Sequence, residues 1–334
     1  MTTKTHPVVL YLLPYFLNNL SKLHFATTHF LTRIYFIYLG LDHINEDRLY
    51  STSHSTSKPL SPDANRSRGA KRRRDEANPD DVGLYCCFDG HGGELCSKYL
   101  GESFGRQFQL SFDDSTTEND LEPTPTTELL SRAIELAISE SEEKFMSTIG
   151  KADDSGACLI AVSVSAKTIV CGCVGDCRAV VGKNLFSTDL KLSQTRNLMR
   201  QLSTDQTGWE ESEKRRIEAC GGHVVDGRIN GILEPSRTIG DADLKLEKHS
   251  GLIADPVITS FDPFIEWGDE FETMTLIVAT DGLWDVIDSV EVGKLIRKYH
   301  SKGQTEYAKL LAAEAALRGS RDDITVIFVQ YRRV

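Results

Sequence analysis

Leu84-Tyr85-Cys86-Cys87-Phe88 is a short apolar run that ends in Asp89-Gly90-His91-Gly92-Gly93. It reads as a buried strand that delivers an acid and an imidazole to a glycine-rich turn. On its C-terminal side Leu95, Tyr99 and Phe108 mark one face of a helix, and Leu129, Ala133, Ile134, Leu136, Ala137 and Phe145 recur at helical spacing from Thr126 onward. Residues 159–165, 169–174 and 179–182 are β-branched or period-two strands, with turns at Ala166-Lys167 and Gly175-Asp176. A helix over 210–220 stops at Gly221-Gly222, and a buried strand over 276–280 runs into Asp281-Gly282. Helices over 289–300 and 304–317 and a strand over 324–330 close the chain. Antiparallel strands clustered between helical blocks argue for an α+β sandwich.

The chemistry sits at the strand ends. Asp89, Asp176, Asp281 and Asp322 each follow or border an apolar strand, and the first three lie beside Gly90, Gly175 and Gly282. Carboxylates gathered in a partly desolvated site cannot all stay ionised without a cation. Mg²⁺ and Mn²⁺ favour carboxylate, carbonyl and water oxygens, and a glycine beside each acid lets backbone approach the ion. Taken singly, an Asp-Gly pair is equally an ordinary β-turn.

Composition bounds the partners. Lys plus Arg number 38 against 49 Asp plus Glu, a net charge of −11. Residues 1–83 hold 11 basic and 8 acidic side chains, so the excess acid belongs to the remainder of the chain. Such a chain is a poor general binder of nucleic acid or anionic membrane, and no nucleic-acid partner is expected. A hydrophobic content of 40% with 26% charged residues excludes wholesale disorder and polytopic membrane classes. The eight cysteines include no Cys-x-x-Cys pair, which reads as buried reduced thiols and an intracellular compartment, cytoplasm and/or nucleus.

Read in order, Phe88-Asp89-Gly90-His91-Gly92-Gly93, Val174-Gly175-Asp176-Cys177-Arg178-Ala179-Val180, Leu202-Ser203-Thr204-Asp205, Gly221-Gly222-His223-Val224 and Arg228-Ile229-Asn230-Gly231 resemble the motifs of one family. They continue with Ser236-Arg237-Thr238-Ile239-Gly240-Asp241, Ala279-Thr280-Asp281-Gly282-Leu283-Trp284-Asp285 and Gly319-Ser320-Arg321-Asp322-Asp323-Ile324-Thr325-Val326. The family is that of the metal-dependent serine/threonine protein phosphatases, the PPM or type 2C class. Upstream, Gly40-Leu41-Asp42-His43-Ile44-Asn45-Glu46-Asp47-Arg48 resembles the first motif, with Glu46 and Asp47 on its acidic pair. Asp42 stands where the family has an arginine. An arginine there would offer phosphate a bidentate fork, which an aspartate opposes by repulsion, so the expectation is reduced affinity rather than lost chemistry.

The resemblance implies a β-sandwich of two mainly antiparallel sheets flanked by helices on both sides, four layers α-β-β-α. It implies two Mg²⁺ or Mn²⁺ ions, with Asp89 bridging them, the Gly90 carbonyl and Glu46 on one, and Asp281 and Asp322 on the other. Asp47 acts through a water, and Asp176 with Asp281 holds a third, weaker ion. Two such ions activate a water for in-line attack on phosphorus, and His91 protonates the departing serine or threonine oxygen. Arg178, Arg237 and Asp241 read as structural pairs, Trp284 as core packing, and Asp323 as an added charge where the family has asparagine. The expected function is hydrolysis of phosphoserine and phosphothreonine in protein substrates by a monomer. Two alternatives are a pseudophosphatase that binds phosphorylated partners, motivated by Asp42 and the unusual start, and a metal phosphohydrolase of small molecules.

Residues 40–334 are expected to form the phosphatase domain, with a flap at about 195–245 and a polar, mobile insert at 51–81 that contains the basic run Lys71, Arg72, Arg73, Arg74. Residues 1–39 form an acid-free hydrophobic leader, and the acid-free stretch extends to 41. Its apolar run is too short to span a membrane. It reads as a targeting or membrane-contacting segment, or as an extension that packs on the domain.

Overall fold

The strand Gly156–Val164 is buried at every position, and its side chains divide by parity. Cys158, Ile160, Val162 and Val164 enter one hydrophobic cluster, Ala157, Leu159 and Ala161 another. Successive side chains of a strand point to opposite faces, so a strand covered on both faces has no polar side and reads as a continuous apolar run.

The computed structural model describes residues 22–27, 30–39, 46–55, 81–115, 125–189, 191–247 and 249–333. One sheet runs, in spatial order, β1 (Lys22–Thr27), β2 (Phe30–Leu39), β14 (Ile324–Arg333), β13 (Thr273–Ala279), β7 (Arg178–Lys183) and β8 (Met199–Gln201). The other runs β12 (Val257–Phe261), β6 (Ile169–Val174), β5 (Gly156–Val164), β4 (Asp81–His91) and β3 (Arg48–Ser55), with β11 (Ile239–Gly240) paired to the start of β5. A small ribbon joins β9 (Val224–Val225) and β10 (Arg228–Ile229). Pairings between these strands are all antiparallel.

Helices α1 (Leu95–Ser115) and α2 (Thr127–Ser147) cover the second sheet through Leu100, Phe104, Ile134 and Ile138. Three more, α6 (Asp281–Trp284), α7 (Ser289–Ser301) and α8 (Tyr307–Leu317), cover the first through Leu283, Ile296 and Leu311. Helices α3 (Glu211–Ala219), α4 (Ala242–Leu246) and α5 (Pro263–Trp267) lie in the connections. Between the sheets, Tyr85 and Ile160 of one meet Leu276, Val278 and Ile327 of the other. Each such side chain contributes about 1.5–3 kcal/mol on burial. The Tyr331 hydroxyl donates to that of Tyr85 at 3.0 Å across this core, which spares two buried hydroxyls a penalty of about 1–3 kcal/mol each. The architecture is the four-layer α-β-β-α sandwich expected of the motifs.

Local signals account for the helix boundaries. The Thr126 hydroxyl accepts the Leu129 N–H and the Asp288 carboxylate accepts the Glu291 N–H, so each caps a helix start. Two boundaries drawn from sequence shift. Leu39↔Ile324 through Phe30↔Arg333 join β2 to β14 along its whole length, so residues 30–39 of the acid-free stretch form a strand of the same sheet as β14, in the manner of an extension that packs on the domain. Residues 51–55 extend β3 and Asp81 begins β4, which trims the insert to 56–80. Those residues, the basic run within them, residues 1–21 and Asp42 lie outside the described residues. Seven of the cysteines are buried, and Cys220 is exposed just past α3. No helix among the described residues is long and apolar enough to cross a membrane.

Candidate metal centre

At one end of the sandwich, strands of both sheets release acidic residues into a common space. Asp89 lies near the end of β4 in the second sheet. Asp281 follows β13 of the first sheet as the opening residue of α6. Asp176 occupies the turn that carries the chain from β6 in one sheet to β7 in the other. Oxygens of these three carboxylates lie within 4.8 Å of one another. Asp281 Oδ1 is buried without a hydrogen-bond partner.

The electrostatics follow from that proximity. Burial pushes the Asp89 carboxyl well above the usual carboxylate range, and the charges of Asp281, Asp47, Asp176 and Asp322 push it further. Asp281 is raised for the same reasons, by burial and then by Asp176, Asp322 and Asp285. Asp176 is raised to about 6, mainly by burial. Such a group stores repulsion that a hard cation relieves. Every donor offered is oxygen, and Asp281 presents an unpartnered one, so the residues fit a divalent ion of the Mg²⁺ or Mn²⁺ kind.

Asp47 and Glu46 enter from the start of β3. Asp47 is buried and accepts the hydroxyls of Thr325 at 2.6 Å and Thr280 at 3.1 Å. Burial and the charge of Asp323 outweigh these contacts and raise it to about 7. The Glu46 N–H donates to Asp323 Oδ2 at 2.8 Å, and its carbonyl accepts the Ser97 hydroxyl. A Cβ on Gly90 would sit 2.5 Å from the Glu46 carbonyl oxygen, so only glycine lets β4 approach the first motif this closely. Asp322 is exposed, and its Oδ1 accepts the Asp323 N–H at 2.7 Å. The carboxylates of Glu46 and Asp322 are not among the atoms of the 4.8 Å cluster, although the charge of Asp322 acts on Asp89 and Asp281.

His91 Nε2 meets both oxygens of the Asp241 carboxylate, at 3.1 and 2.9 Å. Burial lowers the ring's pKa, but that contact and the charges of Asp241, Asp176 and Glu46 more than reverse it, leaving it raised. In sequence Asp241 reads as part of a structural pair, with nothing that joins it to His91. The two are 150 positions apart, and no local periodicity links them. The contacts of Asp323 to Glu46, and of Thr280 and Thr325 to Asp47, were missed for the same reason. Arg178 does form a structural pair, donating Nε to Asp205 at 2.9 Å with the guanidinium over Trp284. Arg237 likewise grips Glu213 through two nitrogens, at 2.6 and 3.0 Å.

The protein phosphatase 2C family model matches residues 62–324. The chain belongs to the protein phosphatase 2C family. It is 32% identical over 264 residues to "Probable protein phosphatase 2C 13" of Arabidopsis thaliana, covering 75% of this chain and 62% of that protein. It is 28% identical over 251 residues to "Probable protein phosphatase 2C 2" of Oryza sativa subsp. japonica, covering 74% and 60%. The chain thus spans about three fifths of the length of these type 2C relatives. Among solved structures, serine-threonine phosphatase 2C from Toxoplasma gondii superposes with a TM-score of 0.64 at 21% identity, over 93% of this chain and 99% of that one. At that identity the likeness concerns the type 2C fold alone.

Proposed function

We propose that this type 2C chain is a metal-dependent phosphoprotein phosphatase that hydrolyses phosphoserine and phosphothreonine. The observation that carries the reading is the convergence of Asp89, Asp176 and Asp281 from both sheets into one partly desolvated cluster. Two Mg²⁺ or Mn²⁺ ions are proposed; Asp89, Glu46, the Gly90 carbonyl, Asp281 and Asp322 are the residues that would hold them. Asp47 would act through a water, and Asp176 with Asp281 would hold a third, weaker ion. When bound, such ions neutralise phosphoryl charge and activate water for in-line attack, so no covalent phosphoenzyme is needed.

The chain's own residues supply the remainder. Thr280 and Thr325 fix the Asp47 carboxylate, while Asp323 and Ser97 fix the backbone of Glu46 on either side of its Cα. His91 protonates the departing serine or threonine oxygen, a step of general acid catalysis that contributes roughly 10²–10⁴-fold. Residues 195–245 form a flap beside the cleft that influences substrate choice. The partners are phosphorylated proteins, met by a monomer in the cytoplasm and/or nucleus. A binding module without turnover would have no need to keep the carboxylates in place against their mutual repulsion.

The test is hydrolysis of p-nitrophenyl phosphate and of a phosphothreonine peptide with Mn²⁺ or Mg²⁺, using EDTA and Asp89→Asn as controls. Metal-dependent turnover lost in both controls is expected. Well-folded protein without it refutes the reading.

A further inference from the structure

The contact between His91 and Asp241 is built by three strands. In the second sheet β5 lies between β4 and β11, and Gly156 at its start is opposite His91 on one side and Gly240 on the other. Asp241 follows at once. A Cβ on Gly156 would fall 2.5 Å from Asp241 Oδ1 and closer still to Oδ2, so the carboxylate reaches the imidazole across the bare Cα of this glycine.

The residue is also held in a conformation it would not choose. Asp241 has φ 52° and ψ 51°, the left-handed region that non-glycine residues seldom occupy. Such strain persists only where the surroundings over-determine it. Here the Asp241 N–H donates to the Ser155 carbonyl at 3.2 Å. Glu142 of α2 accepts the Gly240 N–H at 2.9 Å and the Lys245 ammonium at 2.6 Å, pinning the turn from both sides. Asp241 itself is only 3% exposed. A carboxylate brought to one imidazole edge at this cost in backbone strain and space has a purpose beyond filling the core.

We propose that Asp241 is a positioning residue for the proton donor: it holds the Nε2 edge of His91 across Gly156, leaving Nδ1 as the nitrogen that gives its proton to the departing serine or threonine oxygen. The step balances: the Nδ1–H bond breaks as the phosphorus–oxygen ester bond breaks, and the new hydroxyl leaves on the product protein. A partner on the far nitrogen fixes ring orientation and stabilises the charged imidazole, the service a carboxylate gives to catalytic histidines in other folds. This inference rests on the phosphatase reading.

The experiment compares wild type, Asp241→Asn, Gly156→Ala, His91→Ala and the double variant His91→Ala/Asp241→Asn in Mg²⁺, on a phosphothreonine peptide and on p-nitrophenyl phosphate. The phenolate leaves readily without a proton, and the threonine alkoxide does not. Asp241→Asn is expected to lower kcat on the peptide by about 10–100-fold at little changed KM, a loss about tenfold larger than on p-nitrophenyl phosphate. Gly156→Ala is expected to show the same selectivity; if circular dichroism finds it unfolded, Asp241→Asn decides alone. In the His91→Ala background Asp241→Asn is expected to cost nothing further. Equal losses on both substrates, no loss on the peptide, or additive losses in the double variant overturn the proposal while the phosphatase reading stands. A folded wild type without metal-dependent turnover overturns both.

Discussion

Asp176→Asn is expected to make the metal-free protein more stable. In the fold the Asp176 carboxyl titrates at about 6 instead of 3.8, because burial, and then the charge of Asp205, outweigh its contact with Cys158. Each unit corresponds to 1.36 kcal/mol, so keeping this carboxylate ionised at pH 8 costs the folded state about 3 kcal/mol. The folded pKa lies above the unfolded one, so the native state binds the extra proton and stability falls as pH rises from about 4 to about 6, remaining low above that. Asparagine removes the charge at nearly constant shape, and its amide can donate to the neighbouring carboxylates. With an unfolding entropy of about 2.1 cal/mol/K per residue, 3 kcal/mol raises Tm by roughly 4 °C for a chain of this length. Calorimetry in EDTA at pH 8 and at pH 4 measures the gain, which is expected at pH 8 and absent at pH 4. Added Mn²⁺ is expected to stabilise wild type more than the variant, because the variant lacks one carboxylate of the cluster. A variant less stable than wild type at pH 8 in EDTA, or equally stabilised at both pH values, would refute the account of the cluster as stored repulsion.

Three further outcomes are expected. Glu213→Gln should cost about 2–3 kcal/mol in urea unfolding at pH 7: although burial opposes ionisation, Arg237, Arg216 and Ser236 hold this carboxyl down to about 2. Because its folded pKa is depressed, that contribution is full above about 4.5 and fades as pH falls toward 2, so the gap between the proteins should close over that window. Asp323→Asn keeps an acceptor for the Glu46 N–H and removes a charge that helps raise Asp47 to about 7; in EDTA at pH 8 it should stabilise by about 1 kcal/mol in thermal melts, and a loss would show that the charge itself is required. Gly105→Ala would drive a Cβ from α1 into the Tyr50 ring of β3, an overpacking expected to cost about 1–3 kcal/mol in urea unfolding.

What could be read from sequence was whatever is local. Strand β5 announced itself because burial on both faces leaves a run with hardly a polar residue, and α2 because Leu129, Ala133, Ile134, Leu136, Ala137 and Phe145 recur at helical spacing from Thr126 onward, although Leu130 rather than Leu129 or Leu136 joins the buried face. Asp89, Asp176 and Asp281 stood out because each ends an apolar run beside a glycine. Residues 30–39 were equally apolar, but their partner is β14, nearly three hundred positions away, and apolarity without a visible partner suits a targeting segment as well as a strand. Edge strand β12, half-buried at most positions, lacks both the continuous run and a clean alternation. His91 and Asp241 meet only because Gly156 stands between their strands, a register that no spacing in either motif encodes.

The two halves of the site depend on the fold in different ways. The His91–Asp241 contact is made within the second sheet, so its geometry is set by backbone pairing between β4, β5 and β11. The carboxylate cluster spans both sheets: Asp89 belongs to one, Asp281 follows the other, and Asp176 lies in the turn between them. Its spacing is therefore set by the distance between the sheets, which the core of Cys87, Ile160, Val278 and Ile327 fixes, with the Cys87 thiol reaching the Val278 carbonyl from one sheet to the other at 3.7 Å. Packed cores of this density do not deform continuously. Carboxylates that would move apart if free are thus held together by burial of apolar surface far larger than the site, and binding of a cation there would release repulsion that the sandwich has stored.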